Sequence, residues 1–236
     1  MSDAHLGAPS SVCKNRETKI TAFLNSIRDS CCSLFLVGDI FDFWFEYRHV
    51  IPKDYHQVLF ALRQLTDRNI PVHYIAGNHD FWIGNFLSRA IGINVHFKPL
   101  DIVIHGKKFL ILHGDGVAPF DWGYRLMKKI LRFPLNIHLY RLLHPDLGIW
   151  LAKSASNLSR FFTRERSRKK NIPEIYRKEA QKILERGYEF VVMAHTHSPE
   201  IVKCKEKTYA NCGDWIETFS YLTYYNGAIE LKIWDR

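Results

Sequence analysis

The sequence contains no apolar run close to the ~20 residues that a membrane-spanning helix needs. Its beginning lacks the positively charged and then apolar pattern of a secretion signal. No Gly-, Pro- or Ser-rich tract divides the chain, and its 236 residues with 47% apolar content suffice for a sizeable core. These features predict one α/β domain over residues 1–236 in a cytoplasmic protein.

Cysteine is scarce, and its pattern argues against a disulfide framework. The five cysteines are odd in number and never stand in C-x-x-C spacing. Most of them lie in apolar stretches that resemble strands. We therefore expect reduced thiols in the core, without a functional role.

Basic residues are in excess, and the excess is confined to one internal segment. The net charge is +9, from 33 basic and 24 acidic residues. Residues 121–171 contain twelve of the basic and three of the acidic residues, which leaves 21 of each in the rest of the chain. We expect any anionic partner to meet the protein at this segment.

Short apolar runs that end in polar residues recur along the chain. Their continuous apolarity predicts strands that are buried on both faces. These runs are residues 31–37, 70–76, 109–112 and 189–193. Amphipathic spacing predicts helices over residues 15–29, 53–68 and 173–186, and turn residues predict β-hairpins at residues 105–108 and 226–227.

The basic segment also carries many large apolar side chains, including Leu126, Met127, Trp150 and Phe161. Prolines interrupt it at positions 134 and 145. This pattern predicts two or three helices that are inserted between strands of the main domain.

Polar residues gather where the predicted strands end, and this is the edge at which open α/β sheets bind ligands. Taken singly, each residue has a structural explanation: a histidine can be hydrogen-bonded in a core, Asp39 can cap a helix and Asn78 can form a turn. The joint occurrence of five such clusters favours a functional site. They are Asp3 and His5, Asp39 and Asp42, Asn78 with His79 and Asp80, His113 and Asp115, and His195 and His197.

The residue types in these clusters predict metal chemistry. Carboxylate, amide and imidazole groups without any thiolate suit octahedral Mn²⁺ or Fe better than a structural Zn²⁺ site. Two metals need a shared carboxylate, and Asp39 is the natural bridge. Ions ~3.5–4 Å apart generate a hydroxide at neutral pH and hold the attacked phosphoryl group and its leaving oxygen. The pattern thus predicts hydrolysis of a phosphate ester or anhydride.

The five motifs "SDAHLG", "GDIFD", "GNHD", "HGD" and "AHTH" together resemble those of calcineurin-like metallophosphoesterases. The resemblance implies an α/β (α+β) fold, in which a two-sheet β-sandwich is flanked by helices and carries a helical cap at about residues 121–171. It implies a catalytic role for Asp39 and for His79, which would stabilise or protonate the phosphate or the leaving group. A structural role for His79 is the alternative. The implied ligands are Asp3, His5, Asp39 and His197 for one metal, and Asp39, Asn78, His113 and His195 for the other.

Longer words such as "GDIFDFWFEY", "GNHDFWIG" and "HGDGVAPFDWGYR" resemble the UDP-2,3-diacylglucosamine pyrophosphatases of lipid A synthesis. The resemblance implies Mn²⁺-dependent cleavage of this lipid-linked nucleotide sugar to UMP and 2,3-diacylglucosamine 1-phosphate. It implies a protein peripheral on the inner membrane, whose cap lodges acyl chains and meets anionic lipid. The implied substrate-binding residues are Asn78, His79, Asp121 and His195.

Several alternatives to this function stay open. The basic segment is also compatible with a helical lid that packs on its own domain and exposes a solvated basic face. A related enzyme could cleave another lipid or nucleotide phosphodiester. A nuclease is less favoured, because no nucleic-acid-binding module accompanies the motifs and no nucleic-acid partner is expected. A non-catalytic scaffold has no need of a complete ligand set.

The first motif differs from the other four because no apolar strand precedes Asp3 and His5. We expect the natural reading frame to begin about half a dozen residues earlier, given ordinary strand lengths. If the chain folds as written, Asp3 and His5 should be the least ordered ligands. The word "NCGDWIE" at residues 211–217 could border the site or form a plain turn.

Overall fold

A parallel three-stranded sheet forms the first layer of the structure. The computed structural model describes residues 1–8, 15–167 and 171–235, and for residues 157–167 it describes the backbone alone. The sheet has the order β1-β2-β3. Two helices cover its outer face, where Leu24, Leu62 and Tyr74 share one apolar cluster. The elements are α1 Arg16–Ile27, β1 Leu34–Val37, α2 His56–Thr66, β2 Val72–Ile75 and β3 Asn94–His96.

A mixed five-stranded sheet forms the second layer, with the order β4-β5-β6-β8-β7. Its central pairs β5·β6 and β6·β8 are parallel, and its outer pairs are antiparallel hairpins. One further helix packs on its outer face through Tyr176 and Leu184. The elements are β4 Leu100–Ile104, β5 Lys107–Ile111, α6 Ile172–Glu185, β6 Phe190–Met193, β7 Glu200–Cys204 and β8 Lys207–Asn211.

The two sheets pack face to face. Val37 and Ile75 from the first sheet lie in one buried cluster with Phe109 and Phe190 from the second. The antiparallel hairpin of β9 Ser220–Tyr225 and β10 Ala228–Ile233 borders this core through Leu222. The predicted sandwich with flanking helices is thus confirmed, as are both predicted hairpins and the helices expected before, between and after the strands.

Three helices are inserted between β5 and α6, at the upper limit of the predicted two or three. They are α3 Trp122–Leu131, α4 Pro134–Arg141 and α5 Pro145–Ser167, and we call them the cap. Proline begins α4 and α5, where its missing amide hydrogen leaves no hydrogen bond unmade. The cap therefore owes its breaks to the two prolines that the sequence analysis singled out.

The cap leaves much of its apolar surface exposed. Among its described side chains, Trp122 is 70% exposed and Leu142 is 82% exposed. The other large apolar side chains exposed on the cap are Leu126, Met127, Ile130, Phe133, Leu135, Leu139, Leu147, Trp150 and Leu151. The basic side chains expected between Arg160 and Lys170 lie outside the described residues. A helix with the length and apolarity required to cross a bilayer does not occur in the part of the chain that the structure describes.

The first motif runs beside β1 in the parallel direction. The carbonyl of Met1 accepts from the amide of Val37 at 2.8 Å, and the amide of Asp3 donates to Gly38 at 3.1 Å. The guanidinium of buried Arg16 donates to the carbonyl of His5 at 2.8 Å. These bonds supply the support that the sequence analysis expected to be missing, and both Asp3 and His5 are buried.

Candidate metal centre

The five predicted motifs meet at the ends of β1, β2, β5 and β6. Five of their residues have left-handed backbone angles, which non-glycine residues rarely adopt. Each such conformation costs about 1–3 kcal/mol in backbone strain. Such strain persists where the surrounding structure fixes it, and it concentrates at functional sites. These residues are Asp3 (φ 49°), His5 (φ 43°), Asp39 (φ 53°), His195 (φ 69°) and His197 (φ 54°).

Three overlapping groups of side chains each present ligand atoms within 4.8 Å of one another. They are Asp3, His5 and His197; Asp39, His113 and His195; and His5, Asp39 and His79. The structure thus brings together the predicted histidine and aspartate ligands. Asp39, the expected bridge, belongs to two of the three groups.

The first group has ligand atoms that no hydrogen bond satisfies. Nε2 of His197 lies 3.4 Å from Oδ1 of Asp3, and Nε2 of His5 lies 3.8 Å from the same oxygen. Both Oδ1 of Asp3 and Nε2 of His5 are buried without a hydrogen-bond partner among the described residues. A buried polar atom ordinarily has a hydrogen-bond partner. These two atoms instead fit the role of ligands that donate their lone pairs to a divalent cation.

The second group is organised around His113. Its Nδ1 donates to the carbonyl of Val37 at 2.9 Å, which turns Nε2 toward the cluster. That Nε2 lies 3.2 Å from Oδ2 of Asp39 and 3.0 Å from Oδ1 of Asn78. A side chain at Gly38 would place its Cβ 2.4 Å from the imidazole, so the glycine of this motif leaves the room that His113 occupies.

The electrostatics of the second group follow from burial and close charges. Burial acts against the charged forms, but the neighbouring His113 holds the pKa of Asp39 well below its usual range. Asp39 in turn raises the pKa of His113 well above its usual range, against the effect of burial. Burial and the charge of His113 lower the pKa of His195 to about 4. The group therefore pairs one ionised carboxylate with one charged and one neutral imidazole.

His79 belongs to the third group, which shares His5 with the first group and Asp39 with the second. Its backbone amide donates to Oδ1 of Asp39 at 2.8 Å, and its Nδ1 lies 3.1 Å from the carbonyl of Asp42. Burial opposes its charge, yet Asp39 and Asp42 raise the pKa of His79 to about 9. At this pKa the imidazole is protonated near neutral pH, which is compatible with the predicted acid role.

Asp42 and Asp80 have supporting roles that the sequence analysis did not assign. Asp42 accepts from Nδ1 of His5 at 3.3 Å and so orients that imidazole. Asp80 accepts from the amides of Gly77 and Ile40, at 2.8 and 2.9 Å, and joins the second motif to the third. The sequence shows Asp42 three residues after the proposed ligand Asp39, and Asp80 two residues after Asn78. It does not show that His5 and Ile40, their partners from other motifs, meet them in the fold.

Side chains of the cap form hydrogen bonds and an ion pair with the site that the sequence did not reveal. Asp115 of the fourth motif accepts from the hydroxyl of Tyr124 at 2.7 Å and pairs with Lys128 of α3. Ser156 of α5 is buried and donates to Asp42. Asp121, predicted to bind substrate, lies at the start of α3 rather than within the ligand cluster.

The segment "NCGDWIE" at residues 211–217 agrees with both proposed interpretations, a border of the site and a turn. The amide of Trp215 donates to the carbonyl of Asp3 at 3.1 Å, and Ser2 donates to the carbonyl of Gly213 at 3.2 Å. The carboxylate of Asp214 accepts from the amide of Ile216 at 2.8 Å and closes a turn. This segment is a turn that borders the first motif.

Comparison with known proteins supports the assignment that the geometry suggests. The sequence pattern of the family described as calcineurin-like phosphoesterase matches residues 1–199. Among solved structures, one described as a novel archaeal phosphodiesterase aligns with 99% of this chain and 96% of its own, at 13% identity and a TM-score of 0.47. The family match alone covers most of the chain and all five motifs.

Curated relatives are similar over most of their length. A Porphyromonas gingivalis protein named UDP-2,3-diacylglucosamine hydrolase is 32% identical, over 94% of this chain and 92% of that protein. A protein of the same name from Pseudomonas fluorescens is 30% identical, over 78% of this chain and 74% of its own. A third, from Pseudomonas syringae pv. syringae, is 31% identical over 78% and 75%. The chain therefore belongs to the calcineurin-like phosphoesterase family and is a metal-dependent hydrolase.

Proposed function

We propose that this protein hydrolyses the pyrophosphate of UDP-2,3-diacylglucosamine to UMP and 2,3-diacylglucosamine 1-phosphate. The observation that carries the proposal is the exposed apolar surface of the cap, which is anchored beside the ligand cluster through Ser156 and Asp42. A metal centre suited to phosphate hydrolysis beside an apolar surface suited to acyl chains fits a substrate that contains both groups. The names of the curated relatives support the same substrate.

In this proposal two Mn²⁺ ions would be held by the clustered side chains. One set is Asp3, His5, Asp39 and His197, and the other is Asp39, Asn78, His113 and His195. The mixture of oxygen and imidazole ligands without thiolate supports Mn²⁺ over a structural zinc. When bound, such ions supply Lewis acidity and lower the pKa of an attacking water.

The chain's own residues would then bind and orient the substrate. Asp39 keeps both ligand sets together, because it contacts His5 and His113 at once. His79, with its raised pKa, carries a proton at neutral pH and can donate it to a phosphoryl oxygen or to the leaving group. Asn78, His79 and His195 would contact the phosphates, and Asp121 at the start of α3 would contact the sugar side of the substrate.

The cap would take the acyl chains and rest on an anionic membrane surface. In this proposal residues 1–236 act as one domain, and the insertion at about residues 121–171 is its lipid-binding part. Its exposed apolar side chains, such as Leu142 and Trp150, are interspersed with basic residues, such as Lys129 and Arg141. Apolar contact with hydrocarbon combined with charge attraction to headgroups is the usual basis of peripheral membrane binding.

The deciding experiment is product analysis with UDP-2,3-diacylglucosamine in detergent micelles, with Mn²⁺ and after chelation. Release of UMP that depends on Mn²⁺ is expected. If the protein hydrolyses bis(p-nitrophenyl) phosphate but releases no UMP, another phosphodiester is the substrate and the proposal is wrong. If it cleaves single-stranded DNA as fast as the lipid, a nuclease is favoured. No stoichiometric metal uptake and no activity would indicate a scaffold.

A further inference from the structure

Arg132 stands between the cap and the third motif. It follows α3 directly, and its Nη2 lies 3.4 Å from the carbonyl of Gly77, the residue before Asn78. The neighbouring carbonyl of Leu131 accepts from Nε1 of Trp82 at 3.0 Å. This second contact fixes the end of α3 against the loop that carries the third motif, so the guanidinium is held beside the metal centre.

The guanidinium of Arg132 is poorly satisfied at this position. An arginine has five N–H donors, and the only hydrogen bond found for Arg132 among the described residues is the long one to Gly77. Its Nε is buried without a partner, and its Cζ lies 5.2 Å from the ring centroid of Phe81. Stacking on an aromatic ring holds the plane of a guanidinium while leaving its N–H groups to bind an anion.

No carboxylate neutralises this charge within the part of the chain that the structure describes. Asp115 of the fourth motif, which also contacts the cap, is already paired with Lys128. Burial and Asp115 raise the pKa of Tyr124, and the charge of Arg132 acts in the opposite direction, so the two side chains are within electrostatic range. Arg132 thus adds an uncompensated positive charge on the cap side of the cluster, where lysine and aspartate already balance each other.

We propose that Arg132 binds a phosphoryl oxygen of the substrate from the cap side of the metal centre. The proposal rests on the proposed function in one respect, that the bound anion is the pyrophosphate. The planar fork of a guanidinium matches the oxygens of a phosphate and can bind two of them at once. Because Arg132 directly follows α3, phosphate binding by its guanidinium would depend on the position of the cap.

The test compares Arg132→Gln, Arg132→Lys and Arg132→Ala with the matched control Arg186→Gln, which removes the same charge from an exposed position outside the cap, at the end of α6. Arg132→Gln should lower kcat/KM for UDP-2,3-diacylglucosamine by between ~10-fold and ~100-fold, the usual range for a charge-assisted hydrogen bond. Arg132→Lys should lose less, and Arg186→Gln should change kcat/KM less than twofold. Bound manganese per chain should equal that of the unaltered protein in every variant.

Two readouts separate binding from a structural role. Calorimetry with UMP on the manganese-loaded protein should give weaker affinity for Arg132→Gln than for Arg186→Gln. Guanidinium chloride at millimolar concentration should restore part of the activity of Arg132→Ala. If Arg132→Gln retains the kcat/KM and UMP affinity of the unaltered protein, the proposal is wrong. Loss of activity together with lost manganese would also contradict it, since the side chain would then support the fold.

The outcome can be distinguished from failure of the proposed function. If the unaltered protein releases no UMP but cleaves bis(p-nitrophenyl) phosphate, the substrate assignment fails, and the same variants are compared on that phosphodiester. A loss specific to the Arg132 variants would still support phosphate binding by the guanidinium. If Arg132→Gln fails to fold by circular dichroism, Arg132→Lys provides the comparison, and unchanged kinetics in that variant would contradict a bidentate contact.

Discussion

The hydroxyl of Ser156 lies 3.3 Å from both carboxylate oxygens of Asp42, although 114 residues separate the two along the chain. The same carboxylate accepts from Nδ1 of His5, and Ser156 is 3.4 Å from Nδ1 of His79. One buried aspartate therefore contacts the cap and two imidazoles of the candidate centre. Movement of α5 and the geometry of the centre are coupled through this contact.

Replacement of Ser156 by alanine should weaken catalysis more than metal binding. Loss of one hydroxyl removes a hydrogen bond of about 0.5–1.5 kcal/mol but leaves all proposed ligands in place. We expect a several-fold fall in kcat/KM with the lipid substrate and unchanged manganese content. The control is Ser154→Ala, an exposed serine on the same helix. Equal activity in both variants would contradict a role for the contact.

Asp42→Asn should weaken metal binding, because the carboxylate orients His5 through its Nδ1. Loss of a group that orients a ligand ordinarily lowers metal affinity by ~10–100-fold. Titration with Mn²⁺, followed by paramagnetic resonance of the free ion, measures this directly. Asp54→Asn, at an exposed position, serves as the control for a lost carboxylate. Unaltered manganese affinity in Asp42→Asn would exclude the orienting role.

His113→Ala should remove activity far more than it removes stability. The substitution deletes a proposed ligand and also one hydrogen bond to the carbonyl of Val37. We expect a loss of more than ~100-fold in kcat, with destabilisation of about 1–3 kcal/mol, the amount expected when a buried acceptor loses its partner. Thermal melting and steady-state kinetics on the same preparation check this. A fully active variant would refute the two-metal arrangement.

Binding of Mn²⁺ should release protons at pH 7. In the ion-free centre Asp39 raises the pKa of His113 above its usual value, so this imidazole is protonated there, whereas His195, with a pKa of about 4, is neutral. A ligating imidazole must be deprotonated, so His113 gives up its proton on binding. Apparent affinity should therefore rise with pH until the raised pKa of His113 is passed.

Calorimetry of Mn²⁺ binding in buffers of different ionisation enthalpy counts these protons. We expect release of about one proton per chain at pH 7, and a smaller number in His113→Ala. Binding heats that do not depend on the buffer would show that no proton leaves. The assignment of His113 as the charged imidazole of the ion-free centre would then be wrong.

The exposed surface of the cap should bind anionic vesicles. Leu142 and Trp150 are 82% and 62% exposed, so their burial in hydrocarbon would be favourable at about 1.5–3 kcal/mol for a fully buried side chain. The double variant Leu142→Ser with Trp150→Ser should sediment at least several-fold less with phosphatidylglycerol vesicles. Val103→Ser, which alters a 59% exposed side chain on β4, is the control. Equal sedimentation of both variants would exclude the cap as the membrane contact.

Strand-end motifs made the main part of the centre predictable. A buried strand must end where polar residues begin, and parallel neighbours end at one edge, so Asp39 was expected beside Asn78, and His113 beside His195. The two pairs follow strands of different sheets, and the packing of the sheets brings His113 to within 3.2 Å of Asp39. The first motif was less accessible to this reasoning. Its support comes from hydrogen bonds to β1 and from Arg16, and neither partner is marked in the sequence around Asp3.

The sequence by itself determined the order of elements, the residue types of the centre and the charge of the cap, because apolar periodicity and local composition are properties of neighbouring residues. Only the tertiary structure decided which aspartates support histidines and where the cap touches the site. Asp42 with Ser156 and Arg132 with Gly77 join residues that are 114 and 55 positions apart. Such contacts depend on how the layers pack, and no local pattern encodes the distance between two side chains that meet only in the folded chain.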